Sequence, residues 1–360
     1  MRGEIDAGLS VALLERAYRA VRRSQAAGVD GWSAARFGVG LERRLRGLRR
    51  RVLSRRYRPS RLLRVNIRRP DGRQRPIGIP TVEDRVLQRA VLELVTPRVE
   101  RLLDERVHGY RPARSPSTAL AHLAQQVGER AWLEVFKADV EALFETLCHE
   151  RLARCVAAVW EDPLWCWLNA RWMERWHTIG RAAMGVPQGA PLSPVLANLF
   201  MARYIDEPLA GLCLPRATET QSQQGSLCSW IRYGDDLVMV GERLGSGATY
   251  AFTLGSLMMA CGLRLSKQKV LCSTAHRGPL PFLILGERMQ FVRTASGWML
   301  SRTSSGSSDA LRGTHQGVSG SCGLRGFCFP ALPARPWPSL RQPLWTRWPS
   351  SIFGIDISER

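Results

Sequence analysis

Two apolar runs, residues 230–233 and 237–240, flank the tripeptide Gly234-Asp235-Asp236. Strand-forming residues on both sides of a Gly–Asp tip predict a β-hairpin. Adjacent carboxylates in such a hairpin are costly to bury without compensation. A third carboxylate, Asp139, ends another predicted strand over residues 132–139. Three carboxylates on strand ends make an oxygen-rich site suited to hard divalent cations. Two Mg²⁺ ions in such a site support in-line phosphoryl displacement. An isolated Asp-Asp pair would be read as a simple turn. The longer pattern Arg232-Tyr233-Gly234-Asp235-Asp236-Leu237-Val238 is more specific.

Charge points to a polyanionic partner. Lys plus Arg total 52 against 31 acids, a formal net charge of +21 over 360 residues. That balance disfavours an ordinary small-molecule enzyme and favours nucleic acid, with an acidic membrane surface second. The excess is concentrated: residues 36–75 hold 16 arginines and only two acids, Glu42 and Asp71. Like charges at that density repel unless a polyanion neutralises them. Only Lys137, Lys267 and Lys269 are lysines. In a chain that otherwise uses arginine, those positions draw notice.

The first ten residues contain Glu4 and Asp6 and no apolar run, unlike a signal peptide. No apolar stretch approaches the roughly 18 residues of a membrane span. Nine cysteines show no Cys-x-x-Cys spacing and no histidines cluster with them, which argues against zinc or a disulfide framework. The expectation is a cytoplasmic protein with reduced thiols and no membrane partner.

Residues 9–27 predict a helix ended by a Gly28-Val29-Asp30-Gly31 turn. Leu41, Leu45, Leu48 and Val52 recur at helical spacing among arginines. A strand is expected over residues 62–67. Thr81 with Asp84 resembles a capping box opening a helix that Pro97 interrupts. Trp165, Leu168, Trp172 and Trp176 share a helical face read as core. Ser193 is expected to cap a helix with Pro194 at its first position. Residues 215–226 read as a surface loop. From Ala310 to Ile355 there is no Asp, Glu or Lys and no lasting periodicity, which predicts a disordered basic tail or out-of-frame translation.

With these residues assembled, the chain resembles a bacterial reverse transcriptase of the group II intron type over roughly residues 25–290. The resemblance rests on blocks in order. Gly28-Val29-Asp30-Gly31 comes first, then Arg75-Pro76-Ile77-Gly78-Ile79-Pro80 with Asp84-Arg85-Val86-Leu87-Gln88. Gly109-Tyr110-Arg111-Pro112-Ala113-Arg114-Ser115 and Lys137-Ala138-Asp139-Val140 with Phe144 follow. Gly185-Val186-Pro187-Gln188-Gly189-Ala190-Pro191-Leu192-Ser193-Pro194 is the most specific. Tyr233-Gly234-Asp235-Asp236 and Gly262-Leu263-Arg264-Leu265-Ser266 with Lys269 complete the set.

The resemblance implies an α+β fold: right-hand polymerase fingers and palm, with an antiparallel palm sheet backed by helices. It implies fingers over 1–115, a palm over 116–290 and an irregular tail over 291–360. Asp139 and Asp235 would bind two Mg²⁺ ions (or Mn²⁺), with the Val140 carbonyl as a further ligand and Asp236 as the third carboxylate. Phe144 would exclude a ribose 2′-hydroxyl, and Gln188 would line the nucleotide pocket. Arg75, with Arg73, would contact the triphosphate or template. Lys269 would neutralise or protonate the departing pyrophosphate, while Arg111 and Arg114 hold template backbone. The implied partners are an RNA template, a DNA or RNA primer, intron RNA and dNTPs.

The chain departs from the family pattern at Leu143-Phe144-Glu145, where two aromatics and an Asp are usual, and at Gly234, where Ala is commoner. After Gly286 no thumb-like helices are legible, so the thumb is expected to be absent or degenerate. Two alternatives stay open: a polymerase-inactive RNA-binding remnant of an intron maturase, and a CRISPR-associated or defence reverse transcriptase.

Overall fold

The computed structural model describes residues 3–24, 26–68, 72, 74–127, 133–176, 183–212, 228–241, 247–266, 269–275, 279–285, 287–295 and 297–303. In chain order the first elements are helices α1 (Glu4–Gly8), α2 (Val11–Val21), α3 (Ala34–Gly38) and α4 (Leu41–Leu53), then strands β1 (Leu63–Arg68) and β2 (Gln74–Ile79). Helices α5 (Val82–Glu100) and α6 (Pro116–Val127), strand β3 (Leu133–Asp139) and helices α7 (Leu143–Thr146), α8 (His149–Val159), α9 (Pro163–Met173) and α10 (Ser193–Met201) follow. A π-helical turn (Ala202–Asp206) leads to α11 (Glu207–Leu212), β4 (Cys228–Tyr233), β5 (Asp236–Gly241), α12 (Gly247–Ala260) and strands β6 (Leu271–Ala275), β7 (Leu280–Ile284), β8 (Glu287–Thr294) and β9 (Gly297–Arg302). The fold class is α+β, as expected.

The described residues form two compact units, each assembled from separated stretches. The first takes residues 3–102 and 144–200, the second 103–143 and 201–303.

In the first unit, α2 starts where Ser10 Oγ accepts from Leu13 N at 3.1 Å. It ends at Val21, short of the predicted residue 27, because the buried repeat Leu13, Leu14, Ala17, Tyr18 and Val21 stops there. Helix α4 buries Leu45, Leu48 and Val52 and turns Arg43, Arg46 and Arg50 to solvent. Thr81 caps α5 by accepting from Asp84 N, as its sequence suggested. Pro97, expected to interrupt this helix, lies inside it. Only one turn follows it, and Thr96 Oγ1 donates back to the Leu92 carbonyl at 2.6 Å. A proline so near a helix end removes one backbone bond without a long stretch of helix to disrupt.

Trp165, Leu168, Trp172 and Trp176 are buried as core. Trp172 Nε1 donates to Tyr57 Oη at 3.1 Å, and Tyr57 donates in turn to the Asp84 carboxylate. Burial pushes the Asp84 carboxyl up to about 6. The expected serine cap on α10 is not made: the helix includes Ser193, whose buried Oγ has no partner among the described residues.

In the second unit the predicted hairpin forms as β4 and β5 within an antiparallel sheet of order β4-β5-β3-β6. A second antiparallel sheet has the order β7-β8-β9. Leu123 and Val127 of α6 join Val135, Ile231, Val238 and Phe282 in one core. Part of the expected irregular tail is therefore ordered: residues 291–294 and 297–302 are strand, with Phe291 and Trp298 buried in that core. Alternating burial along β8 supplies the reason, since every second side chain has a core to fill. The expectations for residues 304–360, for Trp132 and for the 215–226 loop lie outside the described residues. No helix among the described residues is long and apolar enough to cross a membrane.

Candidate active site

Strand alternation puts the key carboxylates together. Antiparallel register sets Asp139 of β3 directly opposite Asp236 of β5, so both side chains leave the same face. The hairpin tip is tied to the end of β3 by a hydrogen bond from Val140 N to the Asp235 carbonyl, 3.1 Å. The Asp139 carbonyl accepts from Ser266 N at 2.8 Å, joining the Gly262–Ser266 block to the same place.

Opposed carboxylates repel, and two lysines answer them. Lys269 Nζ lies 2.7 Å from Asp139 Oδ2, and Lys137 Nζ lies 2.8 Å from Asp236 Oδ1. The two lysines differ in freedom, because the Lys269 side chain is 51% exposed and that of Lys137 only 11%. Burial raises the Asp139 pKa; the Lys269 bond works against that, and the Asp235 and Asp236 charges add to it. Burial alone would lower the Lys269 pKa, but its bond to Asp139 and the three carboxylate charges carry it above the usual lysine range. That direction is the opposite of one that eases proton donation. Among the described residues, no three His, Cys, Asp or Glu side chains close around a single point.

The hairpin turn is braced from behind. Arg232 is fully buried and donates through Nε and Nη2 to Asp206 of the π-helical turn, at 2.8 and 2.6 Å. Its Nη1 donates to the Gly234 carbonyl at 2.9 Å. The Arg106–Tyr110 segment runs along β4, with Arg232 N donating to the Arg106 carbonyl and His108 N to the Arg232 carbonyl. Gly109 packs so closely that a Cβ there would fall 2.3 Å from Gly234 N. Gly234 itself takes φ +65°, against the Tyr110 ring, a backbone state that suits glycine.

Arg111 and Arg114, expected to hold template backbone, are turned inward at least in part. Arg111 Nη1 donates to the carbonyls of Asp104 and Val107 at 2.6 and 2.8 Å, and Arg114 Nη1 to that of Glu105 at 3.4 Å. They brace their own loop. Behind it, His108 Nδ1 meets Thr118 Oγ1 at 3.0 Å and His108 Nε2 meets His122 Nδ1 at 3.1 Å.

The other expected residues belong to the first unit. Arg75 of β2 donates through Nε to Gln188 Oε1, and Gln188 Nε2 donates to the Glu145 carboxylate. The Gln188 amide is thus held by a cation on its oxygen and an anion on its nitrogen, which fixes its orientation. Phe144 is buried, and its carbonyl accepts from Val186 N at 2.7 Å. Arg73 lies outside the described residues.

The reverse transcriptase (RNA-dependent DNA polymerase) family pattern matches residues 67–289. The chain belongs to the reverse transcriptase family. Protein YkfC of Escherichia coli K12 is 29% identical over 299 residues, which cover 76% of this chain and 78% of YkfC. The group II intron-encoded protein LtrA of Lactococcus lactis subsp. cremoris is 30% identical over 151 residues, covering 40% of this chain and 25% of LtrA. This reverse transcriptase therefore aligns with about a quarter of LtrA. An apo telomerase from Candida tropicalis, truncated from its C-terminal domain, superposes with a TM-score of 0.49 and 10% identity over 68% of this chain and 54% of that one.

Sequence reasoning passed over Asp206, which carries no local motif, and noted Glu145 only as a departure. Lys137 was signalled by the scarcity of lysine, without a partner to explain it.

Proposed function

We propose that this reverse transcriptase is an RNA-directed DNA polymerase of a group II intron-like mobile element, adding dNTPs to a primer 3′-hydroxyl. The observation that carries the reading is the antiparallel register that sets Asp139 of β3 opposite Asp236 of β5, with Asp235 in the adjoining turn. An all-carboxylate donor set, half-withdrawn from water, suits hard divalent cations such as Mg²⁺ or Mn²⁺. Asp139 and Asp235 would hold them, with the Val140 carbonyl beside them. Bound ions of this kind activate a hydroxyl nucleophile and stabilise the leaving oxygen.

The chain's own groups do the rest. Lys269, half exposed, is free to leave Asp139 and meet the pyrophosphate charge. The fixed Gln188 amide lines the nucleotide pocket, and Arg75 contacts triphosphate or template through guanidinium nitrogens beyond its Nε. The Phe144 ring rejects a ribose 2′-hydroxyl by steric overlap. Arg43, Arg46 and Arg50 on the outer face of α4 suit the phosphates of template and primer. Primer extension on an RNA template, with and without Mg²⁺ and with dNTPs and rNTPs in parallel, tests the proposal. Extension should require Mg²⁺ and dNTPs and vanish in Asp235→Asn. Equal extension by that variant would refute the mechanism.

A further inference from the structure

We propose that His108 and His122 are positioning residues for the β4–β5 hairpin, which they tie to α6 through a one-way chain of hydrogen bonds. The proposal rests on the reading of that hairpin as the polymerase site. Thr118, His122 and Gln126 recur every four residues of α6 and so line one stripe of the helix. The buried ring of His108 reaches into that stripe. His108 Nδ1 lies 3.0 Å from Thr118 Oγ1, and His108 Nε2 lies 3.1 Å from His122 Nδ1. On the far side of the second ring, His122 Nε2 lies 2.8 Å from the Gln126 amide nitrogen.

Valence fixes the protons in this chain. A hydroxyl has one proton to give and two lone pairs. Thr118 Oγ1 gives its proton to the Ser115 carbonyl at 2.9 Å and accepts from Ser115 N at 2.9 Å. Its second lone pair is left for His108, which therefore carries its proton on Nδ1 and accepts at Nε2. His122 must then donate from Nδ1 and accept at Nε2, where the Gln126 amide nitrogen donates. The two ends of the chain agree, and both rings are neutral. Burial, then the charges of Arg114, His122 and Arg111, push the His108 imidazole down to about 4. Burial also lowers His122, against Glu105 and Asp104 and with Arg114 and Arg106. A further proton on His108 would set N–H against N–H at one of the links.

The backbone carries this fixed ring to the hairpin. His108 N donates to the Arg232 carbonyl of β4 at 2.8 Å. The next residue, Gly109, has no room even for a Cβ against the turn, since that atom would fall 2.3 Å from Gly234 N. A swing of the His108 ring away from α6 therefore pushes on the turn that carries Asp235 and Asp236. A displacement of about 1 Å at a reacting site costs up to about 100-fold in rate.

Long-range proton–nitrogen magnetic resonance of the full chain near neutral pH reads the chain of protons. Both rings should be neutral with the proton on Nδ1. Gln126→Glu should raise the His122 pKa by about one unit or more, because a carboxylate there accepts from Nε2 while the charged ring still donates to His108. Primer extension reads the positioning. Thr118→Val and His122→Phe should each lower kcat about tenfold, with the dNTP KM within about threefold of wild type. Thr118→Ser, which keeps the hydroxyl, should recover most of the rate. A proton on Nε2 of either ring, an unmoved His122 pKa in Gln126→Glu, or wild-type kcat in either Thr118→Val or His122→Phe would overturn the inference. The tautomer measurement on wild type stands even if a variant fails to fold. A wild-type chain that extends no primer overturns the polymerase reading and the positioning role together, whereas extension with the wrong tautomers overturns this inference alone.

Discussion

The buried Arg232–Asp206 pair holds the turn that carries Asp235 and Asp236. Arg232 and Asp206 have side chains only 0% and 3% exposed. Asp206→Ala would leave an enclosed guanidinium without its carboxylate, its Nη1 still donating to the Gly234 carbonyl. Breaking a buried pair by removing one partner costs about 3–5 kcal/mol. Total stability of a domain is about 5–15 kcal/mol, so the unit that carries the carboxylates should become marginal. Urea titration followed by tryptophan fluorescence reads this directly, since Trp230 and Trp298 are buried in that unit. The double variant Arg232→Met/Asp206→Leu removes both charges and should recover most of the loss, because apolar replacements of buried pairs are often neutral or better. Primer extension should not recover with it: the Gly234 carbonyl has lost its donor, and the turn carrying Asp235 and Asp236 is free to move. A loss below about 1 kcal/mol for Asp206→Ala would refute the pairing. So would full extension by the double variant.

Two more outcomes follow from the same geometry. Glu145→Ala should free the Gln188 amide to rotate and raise the dNTP KM about three- to tenfold with a smaller change in kcat, as expected for one charged hydrogen bond; steady-state kinetics with an unchanged KM would sink the role of Glu145. Burial, then the charges of Arg114, His122 and Arg111, pull the His108 imidazole from 6.5 down to about 4. With the folded-state pKa depressed, stability is lost as pH falls from 6.5 toward 4, because the unfolded imidazole takes its proton first. Urea midpoints should therefore fall in wild type relative to His108→Gln between pH 7 and 4.5, and parallel curves would exclude it.

Local pattern carried far. The apolar runs around Gly234-Asp235-Asp236 specify a hairpin because alternation and a turn signal need no distant partner. The buried faces of α4 and α9, and the Thr81 cap on α5, follow from helical spacing and side-chain chemistry over a few residues. Pro97 was misread for the same reason: its position one turn from a helix end matters more than its identity. Strands β8 and β9 were missed because the abrupt composition change beyond them masked a short alternating pattern.

Charge pairing was decided by tertiary structure. Asp206 and Arg232 are 26 residues apart, and nothing local to either predicts a bidentate pair. Glu145 and Gln188 meet across 43 residues, and Lys137 finds Asp236 across 99. Arg111 and Arg114 look like nucleic-acid contacts in sequence, yet their own loop claims guanidinium nitrogens from each. The sequence by itself determined which residues are brought to the strand ends, because hydrophobic periodicity is local. Which lysine answers which carboxylate depends on register, burial and the reach of a side chain across a sheet, and those arise only when the strands have paired.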